Sequence, residues 1–349
     1  LFKNCTNIVD ASKLILPATT LEESCYYSMF NGCTSLTTAP ELPATTLANN
    51  CYRVMFNGCT SLTTAPELPA TTLMESCYKG MFQKCTSLTT SSELPATTLA
   101  NNCCSYMFYG CTSLTTAPTE LPATTLASNC YEFMFYNCTS LRIVPSILPS
   151  TTLEESCYNC MFTGCKNLTI APELPATTLA NNCYNSMFSR CTSLTTAPAL
   201  PATTLASDCY LYMFQKCTSL TTSSELPATT LADECYYSMF KGCTNLTTSP
   251  ELPATTLAES CYYGMFQGCT GLTTAPELPA ETLARNCYYF MFQGCSNLNY
   301  IKMLATDISA SGCLSNWVSG VSSTGTFVKN SEMTSLPTGS SGIPRGWTV

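Results

Sequence analysis

One stretch constrains this chain more than any other. Leu42-Pro43-Ala44-Thr45-Thr46-Leu47-Ala48-Asn49-Asn50-Cys51-Tyr52-Arg53-Val54-Met55-Phe56-Asn57-Gly58-Cys59-Thr60-Ser61-Leu62-Thr63-Thr64-Ala65-Pro66-Glu67 returns with small changes from one end to the other. Its first cysteine recurs at Cys25, Cys51, Cys77, Cys103, Cys130, Cys157, Cys183, Cys209, Cys235, Cys261 and Cys287, eight intervals of 26 residues and two of 27. A fixed period of this size predicts an α/β repeat solenoid, in which each unit buries its apolar side only against its neighbours. About eleven units fill residues 1–298. Leu1-Phe2-Lys3-Asn4-Cys5 matches Met55-Phe56-Asn57-Gly58-Cys59, so the chain is expected to start mid-repeat and to belong to a longer protein. Beyond residue 298 the pattern gives way to a Ser/Gly-rich segment with Trp317, Phe327 and Trp347, expected to cap the last open edge as residues 299–349.

Composition narrows the partners. Only 10% of the residues are charged against 45% apolar, which excludes a solvated disordered chain. The net charge of -8 argues against nucleic acid, whose phosphates need clustered Lys and Arg, and no apolar run is long enough to insert in a bilayer. Neutral glycans, proteins and cations remain as partners.

Within one unit, Cys51, Tyr52, Met55, Phe56 and Cys59 fall in an arc of about 140° if each residue advances 100°. The spacing therefore predicts a short amphipathic helix from Cys51 to Cys59, with a packed face of residues that repeat and a solvated face of residues that vary. Asn50, Ser76, Asn102, Ser156 and Asp208 stand where N-caps would. Thr60–Ala65 reads as a short strand of a parallel ladder, with Leu62 and Thr64 inward and Ser61 and Thr63 outward. Ile143 and Ile170 at the position of Thr64 fit an inward site, and the prolines at Pro66 and its equivalents end the strand. A brief second strand is expected in Ala-Thr-Thr-Leu.

All cysteines except Cys104, Cys160 and Cys313 fall at two repeat positions. Across a helix Cys51 and Cys59 would lie about 12 Å apart, too far for a disulfide. No His and no zinc-like spacing accompanies them, so buried free thiols acting as small apolar residues are favoured, with no metal and no cofactor. Cys104 and Cys160 occupy positions that elsewhere hold Tyr or variable residues and are candidates for exposure. Glu41, Glu67, Glu93, Glu120, Glu173, Glu225, Glu251 and Glu277 form an acidic column, read as a solvated edge in preference to a calcium site.

Two surfaces are candidates for binding. Thr37, Thr63, Thr89, Thr115, Arg142, Thr169, Thr195, Thr221, Thr247 and Thr273 would project from the ladder along about 50 Å, a surface for an extended hydroxyl-rich polymer or a protein. Tyr237, Tyr263 and Tyr289, with Tyr27, Phe133 and Phe290, lie on the variable side of the unit, where amphipathic aromatics suit sugar and protein contacts alike.

The order Cys59, Leu62, Ala65, Leu68-Pro69, Leu73, then Met81-Phe82 and Cys85 resembles the cysteine-bearing leucine-rich repeat of BspA-like bacterial surface proteins. Ala stands here where that repeat usually has Ile, and Met where it has Ala. The resemblance implies a right-handed leucine-rich-repeat coil, with short parallel strands on one side and short helices on the other. It implies an exported, extracellular recognition or adhesion module, displayed on a cell surface or a phage tail, that meets a host or bacterial surface glycan or protein. It carries no catalytic residue, and the chain has no nucleophile beside a base and no phosphate-binding loop, so it is not read as an enzyme. The rival readings are a structural spacer or self-associating filament subunit and, less favoured, ice binding by the Ser/Thr columns.

Overall fold

The computed structural model describes residues 1–349, which divide into two compact units, Leu1–Leu174 and Pro175–Val349. No residue in either unit is helical. The expected α/β solenoid of alternating short strands and short helices is therefore wrong.

What replaces the helix follows from where the backbone donors go. From Asn50 to Cys59 they alternate. Arg53, Met55, Asn57 and Cys59 N–H donate three residues back, to Asn50, Tyr52, Val54 and Phe56 carbonyls at 3.0–3.3 Å. Asn50, Tyr52, Val54, Phe56 and Gly58 N–H donate instead to Glu75, Cys77, Lys79, Met81 and Gln83 of the next repeat at 2.8–3.0 Å. An α-helix would spend every one of these donors on its own i−4 carbonyls and leave none to tie repeats together. The run is a chain of β-turns, and every fourth residue is left-handed: Asn50 (φ 56°), Val54 (φ 48°) and Gly58 (φ 74°). A left-handed residue at that frequency is incompatible with a right-handed helix. The residues expected as N-caps, Asn50, Ser76, Asn102, Ser156 and Asp208, are the first of these left-handed positions, with φ between 52° and 58°.

Gly58 separates the two geometries by sign. In a helix Gly58→Ala would add about 1 kcal/mol of stability. In the turn run it should cost about 1 kcal/mol, because Ala resists positive φ. The cost would be conformational, since the nearest atom to an added Cβ is the Gly32 Cα at 3.8 Å. Urea unfolding of the variant reads the sign; a gain would restore the helix.

The inward face is nonetheless the one expected. Cys51, Tyr52, Met55, Phe56, Cys59 and Leu62 are all buried, and successive repeats stack like on like. In the first unit the rings of Phe30, Phe56, Phe82 and Phe108 lie 5.4–5.5 Å apart and within 8° of parallel. In the second, Phe188, Phe214, Phe240, Phe266 and Phe292 stack at 5.6–5.8 Å. There Trp317 takes the place of the next Met, against Tyr288 and Phe292, and Gly312, Asn316 and Gly320 repeat the left-handed positions of the turn run. The signal was present in the Gly/Asn spacing rather than in the cysteines.

The ladder is thinner than expected. In the first unit it is reduced to single parallel bridges, among them Thr64↔Thr90, Thr90↔Thr116 and Thr116↔Ile143, with Thr20↔Thr46 and Thr72↔Thr98 in the Ala-Thr-Thr-Leu segments. The second unit has similar bridges and one parallel sheet, β1 (Thr274–Leu278), β2 (Tyr300–Met303) and β3 (Thr326–Lys329), in that order. Proline explains the contrast, since it has no N–H to give to a ladder. β1 contains Pro276 and its register against β2 slips between Thr274 and Glu277. β2 and β3 carry no proline and pair without a break from Tyr300↔Thr326 to Met303↔Lys329. Thr64 is exposed, not inward, and so are Ile143 and Ile170. Only Leu62 of that segment reaches the core.

Candidate recognition surfaces

The threonine column is exposed at Thr37, Thr63, Thr89, Thr115, Thr169, Thr195, Thr221, Thr247 and Thr273, and Arg142 stands exposed in the same position. Its hydroxyls are partly committed. Thr37 Oγ1 donates to Val9 O at 2.9 Å, Thr89 to Thr63 O at 3.4 Å and Thr115 to Thr89 O at 3.1 Å. In the second unit Thr221 donates to Thr195 O and Thr247 to Thr221 O, each at 3.4 Å. Where the hydroxyl hydrogen is spent on the preceding repeat, only acceptor lone pairs face outward. A hydroxyl-rich polymer, which needs donors and acceptors together, finds half of what composition promised.

The variable face of the turn run is better furnished. In the first unit Tyr106 stacks on Phe133 at 4.7 Å and Tyr109 on Tyr136 at 4.8 Å, and the two pairs touch at 5.8 and 5.5 Å, making a half-buried block of four rings. Lys79 Nζ lies 5.9 Å from the centre of the Tyr106 ring and donates to Asn102 Oδ1 at 3.0 Å. Burial raises the Glu132 carboxyl above its ordinary range, although Asn159 Nδ2 donates to it at 3.0 Å. In the second unit Tyr237, Tyr263 and Tyr289 stack at 4.3 and 4.9 Å, flanked edge-on by Tyr212 and Phe290. Burial is the main cause that raises the Tyr237 phenol, followed by the neighbouring phenols of Tyr212 and Tyr263.

Sequence reasoning found Tyr237, Tyr263, Tyr289, Phe133 and Phe290 here and missed Tyr106, Tyr109, Tyr136 and Tyr212. Their signal was available: they are aromatics at unit positions where other repeats carry Ser, Gly, Asn or Lys. Four aromatics of the two blocks pay a conformational cost. Tyr106, Phe133, Tyr212 and Phe290 hold φ of 53–59°, at the position that Gly80 and Gly264 occupy in other units. Bulky side chains resist this region, and strain of this kind collects at functional sites.

No disulfide joins the cysteines, and all but Cys5, Cys25 and Cys160 are buried. Cys104, a candidate for exposure, is fully buried and stands in the tyrosine column between Tyr78 and Tyr131. Cys59, Cys85 and Cys111 Sγ donate to Phe30, Phe56 and Phe82 carbonyls at 3.0–3.1 Å. Burial pushes the Cys51 thiol up to about 11 and that of Cys59 to about 12. The glutamates of the acidic column are exposed. Glu93 Oε2 accepts from Thr119 N and Oγ1 at 2.9 Å, and Glu277 pairs with Lys302 at 2.9 Å. No group of three or more His, Cys, Asp or Glu converges as a metal would require.

The family model described as the BspA type leucine-rich repeat region matches residues 1–142, 128–247 and 207–316. The chain belongs to that family. Its members of this type are repeat scaffolds rather than catalysts, and the chain is a non-enzymatic repeat protein. Among solved structures it is similar to a leucine-rich repeat protein from Bacteroides ovatus, at 16% identity over 86% of this chain and 73% of that one, with a TM-score of 0.40. It is also similar to a leucine-rich cell surface protein from Faecalibacterium prausnitzii, at 19% identity over 86% and 74%, with a TM-score of 0.43. No curated protein matches the chain. No helix is long and apolar enough to cross a membrane.

Proposed function

We propose that this BspA-type repeat chain is a recognition module working outside a bacterial cell, on its surface or on a phage tail, and that it grips a protein partner through the aromatic blocks of its turn face. The observation that carries the reading is the set of bulky rings at left-handed positions, Tyr106 and Phe133 in one unit, Tyr212 and Phe290 in the other. Other units fill this position with Gly, Ser, Val or Cys, so the fold does not call for a ring, and the rings are read as kept for what they touch. Half-buried aromatic clusters rimmed by Lys79 and Glu132 have the composition of protein-binding hot spots.

A protein fits these blocks better than a glycan. A sugar ring stacking on tyrosine needs a free face, and rings stacked on one another at 4.3–4.9 Å leave no slot for one. Stacking leaves ring edges rather than ring faces between neighbours, and edges suit the side-chain groups of a folded surface. Residues 299–349 serve this reading as a terminal cap: Trp317 is buried with its Nε1–H donated to Gly342 O at 3.0 Å, and Trp347 Nε1 donates to Ser322 O at 2.8 Å.

The test is an array of surface glycans and matrix proteins probed with the full chain and with two variants, Y106S/F133S and Y263S/Y289S. Serine is tolerated at the turn-run positions of other repeats, so folding should persist. We expect a protein to be captured and at least one variant to lose tenfold or more in affinity, about 1.4 kcal/mol. Capture of glycans alone, or silence of a folded sample across the array, would defeat the proposal.

A further inference from the structure

On the ladder face, away from the aromatic blocks, the first unit carries a second surface. Ile143 is 59% exposed, Ile147 40% and Ile170 72%. A lone exposed isoleucine needs no explanation, but these three fall within two successive repeats. Ile143 and Ile170 each stand two residues after a buried leucine, Leu141 and Leu168, in successive repeats whose Phe135 and Phe162 rings lie 5.6 Å apart. Ile147 bridges in parallel to Glu173 of that same second repeat. Other repeats place Thr at the first two positions and Glu at the third, as in Thr116 and Glu120. The fold therefore does not require isoleucine at any of them. The two 27-residue intervals, Cys103 to Cys130 and Cys130 to Cys157, fall around this segment, so the repeat was rebuilt where the patch sits.

We propose that this patch is the centre of a twofold interface between two copies of the chain. Its charges favour that occupant. Arg142 stands beside Ile143 as the one cation in the threonine column, and the ion pairs of the chain, Arg285–Glu259 and Lys302–Glu277, leave it out. Glu120 and Glu173, both exposed, flank Ile147 on its two sides in the acidic column. The patch thus holds an apolar centre with a cation on one side and carboxylates on the other, and an isologous pairing matches each with its complement on the second copy. Everywhere else a net charge of -8 sets two copies against each other. Three isoleucines supply less than the roughly 800 Å² per partner of a standard interface, so the dimer is a weak one that draws on the neighbouring threonines for the rest of its area.

Sedimentation equilibrium of the full chain from about 1 µM to 1 mM, with reductant, tests this. We expect a monomer–dimer equilibrium within that range. I143T/I170T, which installs the residues of the other repeats and should leave the thermal melt unchanged, is expected to raise the dissociation constant tenfold or more. R142E should raise it as well, and added salt should weaken the native dimer. A chain monomeric at every concentration overturns the proposal, and so does a dimer that I143T/I170T leaves as tight as before. Neither result bears on the aromatic blocks, which lie on the turn face.

Discussion

Raising the pH under reducing conditions will unfold this protein near pH 10. The cause is the number of buried thiols. Burial holds them protonated in the fold, with Cys51 at about 11 and Cys59, Cys183 and Cys295 at about 12, and burial and neighbouring thiols raise Cys77, Cys85 and Cys138 well above the ordinary value. In the unfolded chain the same groups titrate at the ordinary value near 9.0. Across that window the folded state binds more protons than the unfolded state, so stability is complete below pH 9 and falls as pH rises toward the folded values. Each such thiol forfeits on the order of 1 kcal/mol at pH 10. Ten of them together forfeit on the order of 10 kcal/mol, comparable to the whole margin of an ordinary domain at about 5–15 kcal/mol. Circular dichroism against pH, with tryptophan fluorescence for Trp317, reads the midpoint. Cooperative unfolding that waits until pH 11 would mean that solvent reaches the thiols in the fold.

The thiol columns also show what could be read from residue order alone. Cys51, Tyr52, Met55, Phe56, Cys59 and Leu62 were identified as inward, and all are buried. The geometry that puts them there was misread for a specific reason. A helix turns 100° per residue and a chain of four-residue turns averages 90°, so positions i, i+4 and i+8 share a face in both. The side-chain pattern of Cys51, Met55 and Cys59 cannot tell them apart. The backbone pattern can: Asn50, Val54 and Gly58 mark the turns, and Gly recurs at Gly32, Gly110, Gly164, Gly242, Gly268 and Gly294 with the positive φ that glycine tolerates. A glycine before the second cysteine of so many units is costly in a helix and useful in a turn.

The ladder was misread for a related reason. Alternation placed Thr64 inward because Leu62 is inward, but alternation holds only where a strand continues, and the ladder here is one bridge long. Past that bridge the chain is free to turn, and Thr64, Ile143 and Ile170 face solvent. The surfaces were less legible than the core because they depend on residues that differ between repeats. Ring stacking between adjacent units, as in Tyr109 and Tyr136, became visible only once the spacing of the units was fixed.

Phe82→Ala should be among the most damaging single substitutions in the first unit, costing about 3–5 kcal/mol. The Phe82 ring lies between Phe56 at 5.5 Å and Phe108 at 5.4 Å, and none of it reaches solvent. Cavity cost depends on how far the surroundings can close. Here they can close little, because the repeat spacing is fixed by backbone bonds, Phe56 N–H to Met81 O and Phe82 N–H to Met107 O, each 2.9 Å. Bringing Phe56 and Phe108 together would require those ladders to break. The chain contains a natural counterpart in the neighbouring column, where Cys104 interrupts the tyrosines between Tyr78 and Tyr131. Denaturant unfolding at neutral pH, with reductant, measures the cost of Phe82→Ala. A loss below about 1 kcal/mol would show that adjacent repeats slide to fill the space, and that the hydrogen-bonded spacing is softer than its uniform distances imply.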